Sequence, residues 1–278
     1  MKLCLLSALL FLLTLPVVSL AAPDTLKSEQ KRQFFDLGLT LARGAFAYAP
    51  LAKQAAAVEK TPSKIEQVRQ LSRLDPLAGK SRAEARTRMD RTVLLMRRLH
   101  APETAVTPVA AAAAQLAGRL PLNSDAQTLA FWSRPAARTV ASLSEFQILT
   151  SLPEDPAVAR WLHAPGLPLS APLWYSAGTL AGRSEIAAAH EMPDLLPPPA
   201  QVFTDLRGLR DALAWPLVSP DMIALRNALD KFLKDAPVGP GVGPRTLSLA
   251  QLQALAGISR RLQAQLGTEA AGPETAER

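Results

Sequence analysis

The sequence predicts an all-α protein, a multi-helical bundle or irregular helical array of about ten short helices with proline at their starts. Three observations carry that prediction. Alanine and leucine dominate, while isoleucine occurs only at 65, 148, 186, 223 and 258. No segment alternates apolar and polar residues over the length of a strand. Finally, five of the 24 prolines follow a serine, threonine or aspartate able to cap a helix. Proline is tolerated at the first helical position because the N–H it lacks has no intrahelical partner there.

The elements follow in chain order. Phe35, Leu39, Ala42 and Phe46 recur at i, i+4, i+7 and i+11, with Phe34, Leu37 and Leu41 widening the stripe, so a helix is expected over 25–49. Thr61-Pro62 and Asp75-Pro76 are read as helix starts, the first opening a helix over 62–74. Ser81 with Glu84 three residues on forms a capping box, which places a helix over 82–100. Thr107-Pro108, Asp155-Pro156 and Ser219-Pro220 open helices over 108–118, 156–163 and 220–235. Apolar patterning adds 125–132, 136–150, 172–190, 200–214 and 248–266. The Pro/Gly run over 237–247 is expected to be a linker that isolates the last helix, and 267–278 a polar tail.

Lys2, the apolar run Leu3–Leu15, Pro16 and the small residues up to Ala21 have the layout of a secretory signal peptide spanning 1–21. Cleavage there removes Cys4 and leaves a thiol-free chain exported to the periplasm or exterior, with no later segment apolar for long enough to cross a bilayer. A single cysteine excludes a disulfide framework and multi-cysteine zinc sites. No phosphate loop, G-x-G-x-x-G or G-x-S-x-G motif occurs, so no catalytic residue, metal or cofactor is expected.

The formal charge of +7 is unevenly spread. Residues 24–100 hold sixteen Lys and Arg against eight Asp and Glu, while the rest of the mature chain carries −2. The chain therefore divides into a basic N-terminal helical region (22–104) and a near-neutral helical body (105–236). Within 82–100, Met89, Val93 and Met96 form an apolar face broadened by Leu94, Leu95 and Leu99. Arg82, Arg86 and Arg97 fall away from it, with Arg88, Arg91 and Arg98 beside them. Guanidinium groups so gathered suit phosphate or carboxylate groups on a protein or an anionic envelope macromolecule. Nucleic acid is the least supported partner. The expected contact surface is Phe34, Phe35, Arg82, Arg86 and Arg97, in an exported, non-enzymatic binding or scaffold protein. The alternative is a periplasmic hydrolase of unrecognised type acting on envelope material, with Glu185, Glu191 or Asp194 lining a cleft.

Smaller features read structurally. His190-Glu191-Met192-Pro193-Asp194 has aspartate where H-E-x-x-H zincins have the second histidine, and Pro193 argues that a helix ends there. His100 and His163 sit at helix ends, where an imidazolium complements the dipole. Trp132, Trp161, Trp174 and Trp215 are expected in packing, the first two and Trp215 near helix ends where the indole N–H finds a carbonyl.

Two segments resemble known families. Arg32-Gln33-Phe34-Phe35-Asp36-Leu37-Gly38-Leu39-Thr40 resembles the R-x-x-F-D-Y-x-L-[ST] signature of membrane-anchored lipase foldases. It matches at Arg32, Phe35, Asp36, Leu39 and Thr40 and has leucine at 37 in place of tyrosine. The resemblance implies long continuous helices wrapped around a lipase, whereas this chain reads as short pieces. A basic amphipathic first helix accounts for the same residues. Leu255-Ala256-Gly257-Ile258-Ser259 is similar to the L-P-G-I-G hairpin of helix-hairpin-helix DNA binders, which offers backbone N–H groups to phosphate. A single helix with Gly257 inside it is the simpler reading.

Overall fold

A computed structural model describes residues 28–118, 135–213, 220–234 and 246–270. Every regular element among them is helical. The helices are α1 (Ser28–Ala45), α2 (Ala49–Glu59), α3 (Lys64–Arg73), α4 (Asp75–Arg98), α5 (Glu103–Leu116) and α6 (Ala137–Leu149). A 3-10 turn (Leu152–Glu154) precedes α7 (Pro156–Leu162) and α8 (Ala171–His190). A second 3-10 turn (Pro193–Leu195) precedes α9 (Pro199–Ala212), α10 (Pro220–Lys234) and α11 (Leu249–Ala270). The all-α expectation is met by an irregular array rather than a regular bundle. The expected signal peptide, the helix at 125–132, Trp132, Trp215, Ser219 and most of the Pro/Gly linker and tail lie outside the described residues.

The centre of the array is the pair α1 and α8. Widening of the α1 stripe by Phe34, Leu37 and Leu41 leaves that helix one polar line, through Arg32, Asp36 and Arg43, and the broad apolar remainder must be covered by neighbours. Neighbours α4, α8 and α11 surround it. Its partner α8 contributes Ala177, Gly178, Ala181 and Gly182, side chains small enough for the two backbones to approach closely. Phe35 faces Gly178, Leu39 faces Gly182 and Arg43 reaches Glu185, so the helices run parallel. A Cβ on Gly38 would collide with the Tyr175 carbonyl, and one on Gly178 with the Phe35 carbonyl. At Gly182 it would lie 2.9 Å from the Ala42 Cβ and 3.0 Å from the Leu39 carbonyl.

Around this pair, α4 packs on α1, where Ala85, Arg88 and Met89 come against Gly44, and α5 packs on α4. Leu252, Leu255, Ile258 and Leu262 seat α11 on α8, α10 and α1. The last helix is therefore not set apart, and it continues to Ala270 rather than stopping at 266. One cluster of buried side chains runs from Phe34 to Leu266. No helix among the described residues is long and apolar enough to cross a membrane.

Several expected starts move. The long first helix breaks at 46–48, and an alanine-rich second helix, not foreseen, begins with Pro50 in its first turn. Ser63, rather than Thr61, caps α3 by accepting from the Glu66 N–H. Helix α4 begins at Asp75, so Ser81 lies buried within it and is no cap. The Asp75 carboxylate instead accepts from the N–H and hydroxyl of Thr139, at 3.0 and 2.8 Å, and so serves the first turn of α6. Helix α5 starts at Glu103 and carries Pro108 inside it, at the cost of one backbone hydrogen bond. Helix α10 starts at Pro220 as expected, and Asp155-Pro156 behaves as read, the Asp155 carboxylate accepting from Ala157 N–H at 2.8 Å. Gly257 lies inside the continuous α11, so the hairpin resemblance does not hold.

Two glycine substitutions separate close approach from ordinary helix propensity. Gly38→Ala should destabilise the protein by about 3 kcal/mol or more, because backbone carbonyl cannot yield to the new methyl. Gly257→Ala meets nothing within 4 Å and should stabilise by about 0.5–1 kcal/mol. Urea unfolding followed by circular dichroism checks both, and equal effects would contradict the packing described.

Candidate functional site

The five residues expected to form a contact surface do not stay together. Phe34 and Phe35 are only 2% and 1% exposed. Phe34 packs its ring against Trp161, with centroids 6.3 Å apart, and Phe35 lies in the α1–α8 seam. Both are core residues, which corrects the expectation. That face of α1 is covered by α8 and its neighbours.

Arg82 is also withdrawn from the surface. Its guanidinium donates from Nε to the Leu116 carbonyl at 3.1 Å and from Nη2 to the Gln115 carbonyl at 3.0 Å. Nη2 also lies 3.0 Å from Oε1 of Glu145, whose other oxygen accepts from the Tyr48 hydroxyl at 2.7 Å. One cation thus satisfies the carbonyl end of α5 and neutralises a buried carboxylate on α6. The chain of bonds links four segments: α4, α5, α6 and the α1–α2 junction. Seven residues, two turns, separate Arg82 from Met89, so Arg82 lies on the same side of α4 as the buried stripe, and the expectation that it falls away from that face is corrected.

Arg86 and Arg97 are the two of the five that the structure brings to one groove. They line an open groove of about 420 Å³ between α4 and α5, floored by Val93 and the small side chains of Ala110, Ala113, Ala114 and Ala117. Arg86 is loosely paired with Asp90 at 3.8 Å, and Arg97 has no ion pair or hydrogen bond among the described residues. Leu94, on the rim, is 58% exposed.

A second groove, of about 230 Å³, opens on the other flank of α4, where α1, α4 and α11 meet. Arg32, Asp36, Thr40 and Arg43 face it from α1, spaced i, i+4, i+8 and i+11, and Arg88 and Arg91 from α4. The residues matching the foldase signature, Arg32, Phe35, Asp36, Leu39 and Thr40, all line this groove. Their spacing puts them on one helix face whatever their origin. Sequence reading named Arg88 and Arg91 but had no means of joining them to α1.

A third groove, of about 490 Å³, runs along α8 past Tyr175, Thr179 and Arg183 toward Pro197 and Pro198. Arg183 is 5% exposed, pairs with Glu154 at 2.8 Å and stacks its guanidinium 4.8 Å from the centre of the Phe46 ring. Its Nε, the Thr179 hydroxyl and the Trp174 indole N–H are buried without a hydrogen-bond partner. Trp174 is buried in the packing, as expected of it. Burial raises the Asp205 carboxyl above its ordinary range, against a hydrogen bond from Gln201 that lowers it.

Comparison of the chain with protein-family models, with curated proteins and with solved structures finds no match. Chemistry must therefore be argued from the side chains. No cluster of three or more His, Cys, Asp or Glu suited to a metal occurs among the described residues. At the zincin-like segment, α8 ends on His190, Glu191 turns into the left-handed region (φ 52°), and Pro193 opens a 3-10 turn. His190 and Asp194 therefore do not share a helix face. Glu185, a candidate for a hydrolytic cleft, is held by Arg43 and Gln263.

Two predictions follow from the buried groups. Arg82→Ala strands Glu145 and the last carbonyls of α5 and should cost about 3 kcal/mol, whereas Arg86→Ala should stay within about 0.5 kcal/mol. Denaturant midpoints of the two variants decide whether Arg82 is structural. The chain's two tyrosines, Tyr48 and Tyr175, are both raised well above the ordinary value near 10 by burial, Tyr48 further by its bond to Glu145. A folded-state pKa above the unfolded one gives stability that is present below pH ~10 and lost as pH rises. Tyrosinate absorbance at alkaline pH should therefore appear together with loss of helical signal. Ionisation of a tyrosine near pH ~10 in a chain still fully helical would contradict it.

Proposed function

We propose that this chain is an exported, non-enzymatic α-helical protein of the bacterial envelope that binds an anionic macromolecule through its basic N-terminal helices. The observation that carries the reading is the α4–α5 groove. Arg86 and Arg97 are eleven residues apart on α4, about 16 Å along the axis. Between them lie the Asp90 carboxylate, loosely paired with Arg86, and an apolar floor of small side chains beside the exposed Leu94. A partner with carboxylate or phosphate groups at that spacing and an apolar strip between them complements the groove in both charge and surface. The excess of positive charge in residues 24–100 supports the same partner class, since it attracts anions over a Debye length before any contact forms. Phe34, Phe35 and Arg82 take no part. The signal-peptide layout of the first 21 residues supports export.

Envelope material captured by the purified chain tests this reading. Retention should weaken steadily as salt rises and should drop about tenfold for Arg86→Ala/Arg97→Ala, the loss of two charge-assisted contacts. Retention that is indifferent both to salt and to the double substitution would overturn it.

A further inference from the structure

We infer that the groove between α1, α4 and α11 is a binding site for a phosphate monoester group. The inference rests on the reading of the N-terminal helices as an anion-contacting surface, but it concerns the opposite flank of α4 and different residues.

Of the four guanidinium groups facing the groove, Arg43 is already committed. Its Nε and Nη2 donate to Oε2 of Glu185 at 2.9 and 2.6 Å, and Nη2 also donates to Oε1 of Gln263 at 3.1 Å. That arrangement neutralises Arg43 and makes it a rigid wall. The other three are not so held. Arg32 lies 3.4 Å from Asp36 in a half-exposed i,i+4 pair, and Arg88 is 4.0 Å from Glu84. Arg91 has no ion pair or hydrogen bond among the described residues. Loose exposed pairs of this kind contribute little. Of the carboxylates in these pairs only Asp36 faces the groove, so Arg32, Arg88 and Arg91 leave it with an excess of two positive charges.

That excess selects the ligand. A carboxylate would neutralise half of it and has two acceptor oxygens to offer. A phosphate monoester carries nearly two negative charges at neutral pH and three terminal oxygens, which suits forked donors arriving from two helices. Arg88 and Arg91 are one turn apart on α4, so both can reach one phosphate, while Arg32 approaches from α1. The base of Arg88 is fixed by close packing against Gly44, since a Cβ there would lie 2.8 Å from the Arg88 Cβ. The groove's size admits the phosphate with a sugar-sized or glycerol-sized neighbour, and its open side lets a larger molecule extend outward.

Calorimetric titration of the full chain with inorganic phosphate in chloride buffer, with acetate as the carboxylate control, tests the site. Phosphate should bind with a Kd of about 1 mM or tighter and acetate at least about tenfold more weakly. Arg88→Gln/Arg91→Gln should weaken phosphate about tenfold or more, while Arg86→Gln/Arg97→Gln leaves it within about twofold. Glutamine keeps the Arg88 Cβ packing, and Arg91→Gln alone, at an exposed position, should still weaken binding severalfold. Equal losses from the two pairs, equal affinity for acetate, or no binding at about 10 mM phosphate would overturn the site. Cosedimentation with phosphatidylcholine vesicles containing phosphatidic acid then distinguishes the sources. Association lost in Arg88→Gln/Arg91→Gln assigns a lipid headgroup, and phosphate binding without association assigns a soluble monoester. Because the α4–α5 groove is tested by Arg86 and Arg97, either site can fail while the other stands.

Discussion

Close contact between α1 and α8 is the constraint from which the rest of the architecture follows. Gly38 and Gly178 each press against a carbonyl of the opposite helix, and Gly182 presses against Ala42 and the Leu39 carbonyl. Backbones held that near one another cannot slide, since any side chain larger than hydrogen at these positions would force them apart. The register is thereby fixed at three successive points. With register fixed, Arg43 on α1 meets Glu185 on α8 and Gln263 on α11, and Arg183 on α8 meets Phe46 and Glu154. Polar pairs at the edge of the seam are thus consequences of apolar and steric contact in its middle. The order matters energetically, because ion pairs repay their desolvation only when geometry is already good.

A second consequence concerns how arginine is used. The chain spends its guanidinium groups in two ways, and burial separates them. Arg82 and Arg183 are nearly enclosed, each with a carboxylate and a second stabilising contact: two carbonyls for Arg82, an aromatic face for Arg183. Arg86, Arg88, Arg91 and Arg97 stand at groove edges with long pairs or none. Enclosed guanidinium groups hold helices together where no backbone donor can reach, as at the end of α5. Those at the rims do little for stability, which leaves them available for contact with something else.

The fold class was legible because alanine, leucine and the positions of proline all act locally. Proline's missing N–H constrains the residues beside it, and α7 starts where Asp155-Pro156 says it should. Where tertiary contact competes, the local signal misleads. Ser81 and Glu84 have capping-box spacing, yet the backbone from Asp75 onward is held helical by packing, so Ser81 is buried mid-helix. Pro108 sits inside α5 because Val106, Val109 and Ala113 bury the helix on both sides of it and outweigh one lost hydrogen bond. The same competition decided the candidate surface. A helical wheel gives the side of a helix on which Phe34 and Phe35 lie, but it cannot count the helices around it; Arg82, two turns before Met89, shares the buried side of α4. Arg88 and Arg91 were visible as basic residues, and their convergence with Arg32 depends on α1 and α4 being neighbours, which no single-helix pattern encodes.

Helix α4 therefore has an unusual position among these elements. Its start is fastened to α6 by Asp75 and its body by Arg82, Met89 packs against α1, and a groove opens along each flank. The α5 side offers an apolar floor with charges at its ends, and the α1 side offers concentrated charge with little apolar surface. An extended partner with its own apolar strip suits the first, and a compact dianion suits the second. A macromolecule bearing phosphate groups would engage both at once, and two weak sites on one rigid helix then act with an effective concentration set by their fixed separation. Rigidity of the α1–α8 seam is what keeps that separation constant, so the same glycines that determine the core also set the spacing of the basic surface.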